Sequence, residues 1–141
     1  MSEKNKAVIR RFYDDVFTVG KMNIAAIEQH LAADFVGHDL PPDLSGREGF
    51  KKFVGMFAAS FSDTTQIEAH EVISNGDKIV VRWSSAGTHT GEFMGIAATG
   101  RRVTVKGTDI FRLAEGKIAD LWQEMDIMGI LQQISAPTLS E

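Results

Sequence analysis

Residues 108–126 read Thr-Asp-Ile-Phe-Arg-Leu-Ala-Glu-Gly-Lys-Ile-Ala-Asp-Leu-Trp-Gln-Glu-Met-Asp. The stretch predicts two strands folded on a short Glu-Gly-Lys turn. Side chains alternate across a strand. Val103, Val105, Gly107, Asp109, Phe111 and Leu113 therefore share one face, and Ala119, Leu121, Gln123, Met125 and Ile127 share the other strand's. Each face is apolar but for one polar residue, Asp109 and Gln123. A carboxylate on such a face is costly unless it is partnered or has a task. The hairpin thus predicts a greasy pocket with a polar centre.

Register sharpens this expectation. A two-residue Glu115-Gly116 turn sets Asp109 opposite Trp122 and the apolar face of one strand against Asp120, Trp122 and Glu124. A three-residue loop, Glu115-Gly116-Lys117, pairs Ala114 with Ile118, Phe111 with Leu121 and Val105 with Ile127. The second register matches oil to oil, whereas a one-residue slip inverts every side chain. It also sets Asp109 opposite Gln123, with Cβ atoms about 4.5–5.5 Å apart.

Working outward, helices precede strands. Val8, Phe12, Val16 and Val19, widened by Ile9 and Tyr13, fall at helical spacing up to Gly20. Asn23 can cap a second helix carrying Ile24, Ile27 and Leu31. Asp34 to Asp39 is a short extended piece, and Pro41-Pro42 makes a rigid loop. Ser45 and Glu48 form a capping box for a third helix with the aromatic stripe Phe50, Phe53, Phe57 and Phe61. Period-two alternation then takes over at Ile67, Ala69, Glu71 and Ile73. Asn75-Gly76-Asp77 marks a turn, Ile79 to His89 a strand, and Gly91 to Gly100 a loop with Phe93 and Met94 at its tip. A short apolar tail, Met128 to Ile134, follows the last hairpin. Helices followed by short-turned antiparallel strands are an α+β plan.

Composition bounds the rest. The 141 residues fit one domain spanning 1–141, 43% hydrophobic and 24% charged, with a net charge of −4. Lys51-Lys52 and Arg101-Arg102 are isolated basic pairs, so no nucleic-acid partner is expected. No apolar run reaches the roughly 18 residues of a membrane helix, and the polar N-terminus is unlike a secretory signal. A cytoplasmic protein with no membrane association is the expectation. The absence of cysteine excludes disulfides and thiolate chemistry. His30, His70 and His89 lack metal-ligand spacing, so no metal site is expected. Ser84-Ser85 lacks the strand-turn-helix elbow of a serine hydrolase.

The segments Asp34-Phe-Val-Gly-His38, Ser45-Gly-Arg-Glu-Gly-Phe50 and Gly116-Lys-Ile, followed by Trp122 and Asp126-Ile-Met-Gly-Ile-Leu-Gln-Gln133, resemble the SnoaL-like polyketide cyclases. These are also known as ester cyclases, within the nuclear transport factor 2-like superfamily. The resemblance spans roughly residues 3 to 134. It implies a cone in which a curved antiparallel sheet wraps three N-terminal helices and encloses a hydrophobic cavity. It also implies a homodimer, with Trp122 and Ile110 on the outer sheet face, and acid–base chemistry without metal or organic cofactor.

In those cyclases a histidine stands at the position of Asp109, three residues before the arginine matching Arg112, and an aspartate at that of Gln123. Epoxide-hydrolase relatives share that aspartate. Steroid-isomerase relatives place their base in the segment of His38 and Asp39. The candidate catalytic residues are therefore Asp109, Gln123 and His38, the last pointing into the cavity mouth. Tyr13, Phe57, Trp83, Phe111, Leu121 and Met125 are the expected lining. Two functions fit. One is an enzyme that removes a proton beside the carbonyl of a hydrophobic small molecule, leading to aldol-type ring closure or isomerisation. The other is a non-catalytic domain that binds such a molecule.

Overall fold

In the computed structural model, which describes residues 2–20 and 22–135, the first helix, α1, spans Ser2–Val16. Ile9, Phe12, Tyr13 and Val16 are buried along it, the stripe that a 3.6-residue period dictates. The stripe ends before Val19, which is 70% exposed. The chain has left the helix there, and Gly20, at φ 93°, bonds through its N–H to the Thr64 carbonyl at 2.7 Å. The expected second helix breaks into a 3-10 turn, Ile24–Ala26, and a single turn, α2 (Ile27–His30). Asn23 makes no side-chain cap bond, and Leu31 opens strand β1 (Leu31–Gly37) instead of closing a helix. Helix α3 (Arg47–Ser60) begins at Gly46 and not on a Ser45–Glu48 capping box. The Pro42–Leu44 3-10 turn brings the Pro42 carbonyl within 3.0 Å of the Ser45 hydroxyl, which donates to it.

Five further strands follow: β2 (Phe61–Ser62), β3 (Glu68–Asn75), β4 (Lys78–His89), β5 (Arg102–Ala114) and β6 (Lys117–Met125). Their order is β1-β6-β5-β4-β2, with β3 also on β4. The sheet is curled and mixed, not wholly antiparallel, because β1 runs parallel to β6. Only a tight hairpin obliges neighbours to run antiparallel, and 79 residues separate Gly37 from Lys117, leaving β1 free to dock either way. The apolar tail is also a helix, α4 (Ile127–Ser135), so four α-helices accompany the sheet among the described residues. Asp126 starts α4 by accepting the Gly129 N–H at 2.9 Å, and Ile130 and Ile134 are buried beneath it. That helix takes Ile127 away from Val105, and the hairpin pairing ends at Gly107–Met125.

Bulges in β3 and β6 reset the strand faces. In β3 the register shifts between Ala69 and Glu71, so Val72 packs on the core while Ile73 is 58% exposed. In β6 the turn is the two-residue one: Glu115 and Gly116 have φ of 53° and 79°, and Ala114 pairs with Lys117, not Ile118. Positive φ at both central residues suits the right-handed twist of a hairpin. A shift between Arg112 and Leu113 then leaves Ala119 as the extra residue of β6, restoring the pairs Phe111–Leu121 and Asp109–Gln123. The inverted register therefore lasts only for the turn.

Candidate active site

The odd-numbered positions of β4 and β5 face the helices. Val81 and Phe111 are fully buried there, in the narrow part of the cone packed by α1. One layer wider, a cavity of about 650 Å³, counting its open mouth, lies between the sheet and α3. Asp109 and Gln123 line it, and Trp83, Phe57, Tyr13 and Met125 are among its walls as expected. Phe111 and Leu121 are not. They pair with each other directly below Asp109 and Gln123, and Phe111 is sealed by the Phe12 and Tyr13 rings, each 5.9 Å away.

Asp109 is 3% exposed. Its carboxylate accepts two hydrogen bonds, from the Tyr13 hydroxyl at 2.8 Å and from Gln123 Nε2 at 3.0 Å. No described cation pairs with it. Burial, the largest influence, drives its pKa from an ordinary 3.8 up to about 6; bonds from Gln123 and Tyr13 and the nearby Trp83 indole restrain the rise. The group is thus about nine-tenths ionised at pH 7 yet within reach of its neutral form. The same burial, together with the charge of Asp109, pushes the Tyr13 hydroxyl well above its ordinary value. Tyr13 therefore stays a donor.

Gln123 is positioned twice. Its side chain bonds Asp109, and its backbone N–H donates to Asp39 Oδ2 at 2.9 Å. The Asp39 carboxylate continues the β1–β6 ladder beyond Gly37, after the His38 N–H has bonded the Leu121 carbonyl at 2.9 Å. His38 itself lies on the other side of the sheet. Its Nε2 is 2.7 Å from Asp120 Oδ1 and its ring stacks on Trp122 at 4.5 Å. Asp120 and Trp122 are even-numbered residues of β6, facing away from Gln123, so alternation keeps His38 out of the cavity. Lys78 Nζ also sits 5.4 Å from the Trp122 ring centre, and the outer face there is covered by polar groups.

Sequence reasoning named Tyr13 as a wall but missed its bond to Asp109. The available signal was that this is the chain's single tyrosine, set in a buried stripe. It also missed Phe17, Met22, Phe53, Phe61 and Ile67 as lining. No group of three or more His, Cys, Asp or Glu able to hold a metal occurs among the described residues. No described helix is long and apolar enough to cross a membrane.

The family model of the SnoaL-like polyketide cyclases matches residues 7–134. This chain belongs to that family. Among curated SnoaL-like relatives, aklanonic acid methyl ester cyclase DnrD of Streptomyces peucetius is 31% identical over 96 residues, covering 68% of this chain and 66% of that one. The match spans just under two thirds of that relative's length. Aklanonic acid methyl ester cyclase DauD of Streptomyces sp. strain C5 is 27% identical over 133 residues, 92% of this chain and 81% of its own. Among solved structures, TsrD from Streptomyces laurentii superposes with a TM-score of 0.83 at 25% identity, covering 97% of this chain and 98% of the other. Within this SnoaL-like frame, Asp109 and Gln123 occupy the facing positions on β5 and β6.

Proposed function

We propose that this protein is an acid–base catalyst of the cyclase or isomerase kind, acting through its own side chains on a hydrophobic, carbonyl-containing small molecule. One observation carries the reading: a carboxylate buried at the base of an apolar cavity, held by two neutral donors and by no described cation. A pKa near 6 makes Asp109 a base at neutral pH whose conjugate acid can return the proton. In an aldol closure Asp109 removes a proton from the carbon beside a carbonyl, leaving an enolate. The enolate carbon bonds to a second carbonyl carbon of the same molecule. The alkoxide so formed takes the proton back from Asp109. Tyr13 and Gln123 hold the carboxylate in place throughout. Water exclusion by the aromatic walls strengthens the base.

Aklanonic acid methyl ester, the compound in the names of two relatives, is the first substrate to try. The protein is expected to close its ring, or at least to exchange the proton beside its carbonyl for deuterium in heavy water. Asp109→Asn should slow either reaction by about 10²–10⁴-fold while sparing binding. Binding without ring closure or exchange would overturn the catalytic reading. Gln123 gives that outcome some footing, since an amide does not titrate, and the protein would then be a binding domain. Homodimerisation through the outer sheet face, around Trp122 and Ile110, is part of the proposal, with sedimentation as its check.

A further inference from the structure

The indole N–H of Trp83 lies near enough to Asp109 to restrain its pKa, yet it makes no well-formed hydrogen bond to that carboxylate. Trp83 lines the cavity and is 5% exposed, yet its Nε1 has no hydrogen-bond partner of acceptable geometry. A buried donor left unpaired is costly, so such groups call for an explanation. The surroundings are arranged to keep the ring where it is. Trp83 pairs across the sheet with Gly107. A Cβ at Gly107 would lie 2.7 Å from the Glu124 carbonyl oxygen on β6, 2.9 Å from Cζ2 of the indole and 3.2 Å from its Cε2. The missing side chain therefore lets the ring lie against β5, beside Asp109 two residues along. Cε2 is bonded to Nε1, so this close approach brings the N–H end of the ring down onto the polar floor.

We propose that the Trp83 indole N–H is a ligand donor, binding the carbonyl oxygen beside the carbon that Asp109 deprotonates, with Gly107 leaving room for the ring. This extends the acid–base reading given above. Gln123 Nε2 and the Tyr13 hydroxyl are both committed to Asp109. Of the three donors beside the carboxylate, Trp83 Nε1 is the one that makes no well-formed hydrogen bond to it. A donor aimed at a developing enolate oxygen in a dry site lowers the barrier to forming it. The ligand class follows: a molecule with a flat apolar body and an oxygen that gains negative charge during the reaction.

The test uses two probes of equal shape, 2-naphthol and naphthalene, on the full-length protein labelled with ¹⁵N at tryptophan. The two indole signals are assigned with Trp122→Phe, which lies on the outer face. Binding of 2-naphthol should move the Trp83 N–H signal downfield and slow its exchange with water, and naphthalene should do neither. Trp83→Phe should weaken 2-naphthol about tenfold, the worth of one buried hydrogen bond, and leave naphthalene nearly unchanged. Equal responses to the two probes, or equal weakening of both, would overturn the proposal. So would a signal that follows the titration of Asp109 in ligand-free protein but ignores 2-naphthol, since Trp83 would then serve the carboxylate alone. Failure of the acid–base reading shows differently: Asp109→Asn would leave deuterium exchange into a bound ketone unchanged, whatever the indole does.

Discussion

Strand β6 carries a polar cluster on each face, and the two treat a carboxylate in opposite ways. Inside, Asp109 meets Tyr13 and Gln123, both neutral, and burial raises its pKa to about 6. Outside, burial also pushes Asp120 upward, but less than bonds from His38 and Arg112 and their charges push down, and the pKa falls below its ordinary value. Asp120 is bound by Arg112 Nε at 2.5 Å and by His38 Nε2 at 2.7 Å. The sheet's curvature thus separates a group able to trade protons from one locked in its charged form. What separates the two acids is the counter-charge: Asp120 has one in Arg112, and Asp109 has neutral donors and no described cation.

The comparison breaks most visibly by removing each acid in turn. Against a substrate that the protein turns over, Asp109→Asn should reduce the rate by about 10²–10⁴-fold, while Asp120→Asn and His38→Ala change it little. A large loss from His38→Ala, measured in the same assay, would return that residue to the machinery. Next in size, Gln123→Asp places a second carboxylate against the first. Two like charges in one buried site resist ionising together, so the pair should titrate with an upper apparent pKa above 6, read by NMR of the carboxyl carbons. Urea unfolding should find this variant weaker at pH 8 than at pH 5.

Stability against pH sharpens the contrast further. Between about pH 4 and 6 the unfolded chain gives up the Asp109 proton that the folded chain keeps. Stability should therefore fall across that window as pH rises, and stay level above it. A carboxyl pKa raised from 3.8 to about 6 corresponds to about 3 kcal/mol over the whole window. Asp109→Asn should remove this slope in urea unfolding series. Asp120 runs the other way. Its contribution is present above the ordinary carboxylate pKa of about 3.9 and is lost as pH falls through the lowered folded value. Asp120→Asn should flatten that acid limb, the smaller of the two effects because the pair is partly exposed.

The alternation of residues 103–113 and 119–127 was enough to set Asp109 against Gln123, because a pleat has only two faces. The α+β class followed from the change of period after Ser62. What stayed hidden has three physical origins. Bulges at His70 and Ala119 insert a residue without leaving a mark in the polarity pattern, so Ile73 was misplaced. Tyr13 and Asp109 lie 96 residues apart, and no local rule connects a helix hydroxyl to a strand carboxylate. His38 and Asp39 stand where a strand ends, and there the facing of a side chain depends on the neighbour. Asp39 turned to the β6 backbone and His38 to Asp120.

The bulge at Ala119 has a consequence for how change is tolerated. A two-residue turn with one bulge and a three-residue loop with none use the same number of residues between Phe111 and Leu121. The tip of the hairpin can thus exist in either form with the floor of the cavity unmoved, and it acts as an expansion joint. Substitutions at Glu115 or Gly116 that spoil the left-handed turn have a second geometry to fall into. Labels, tags or a grafted epitope belong there, on the one piece of this hairpin whose rearrangement the Asp109–Gln123 pair does not feel.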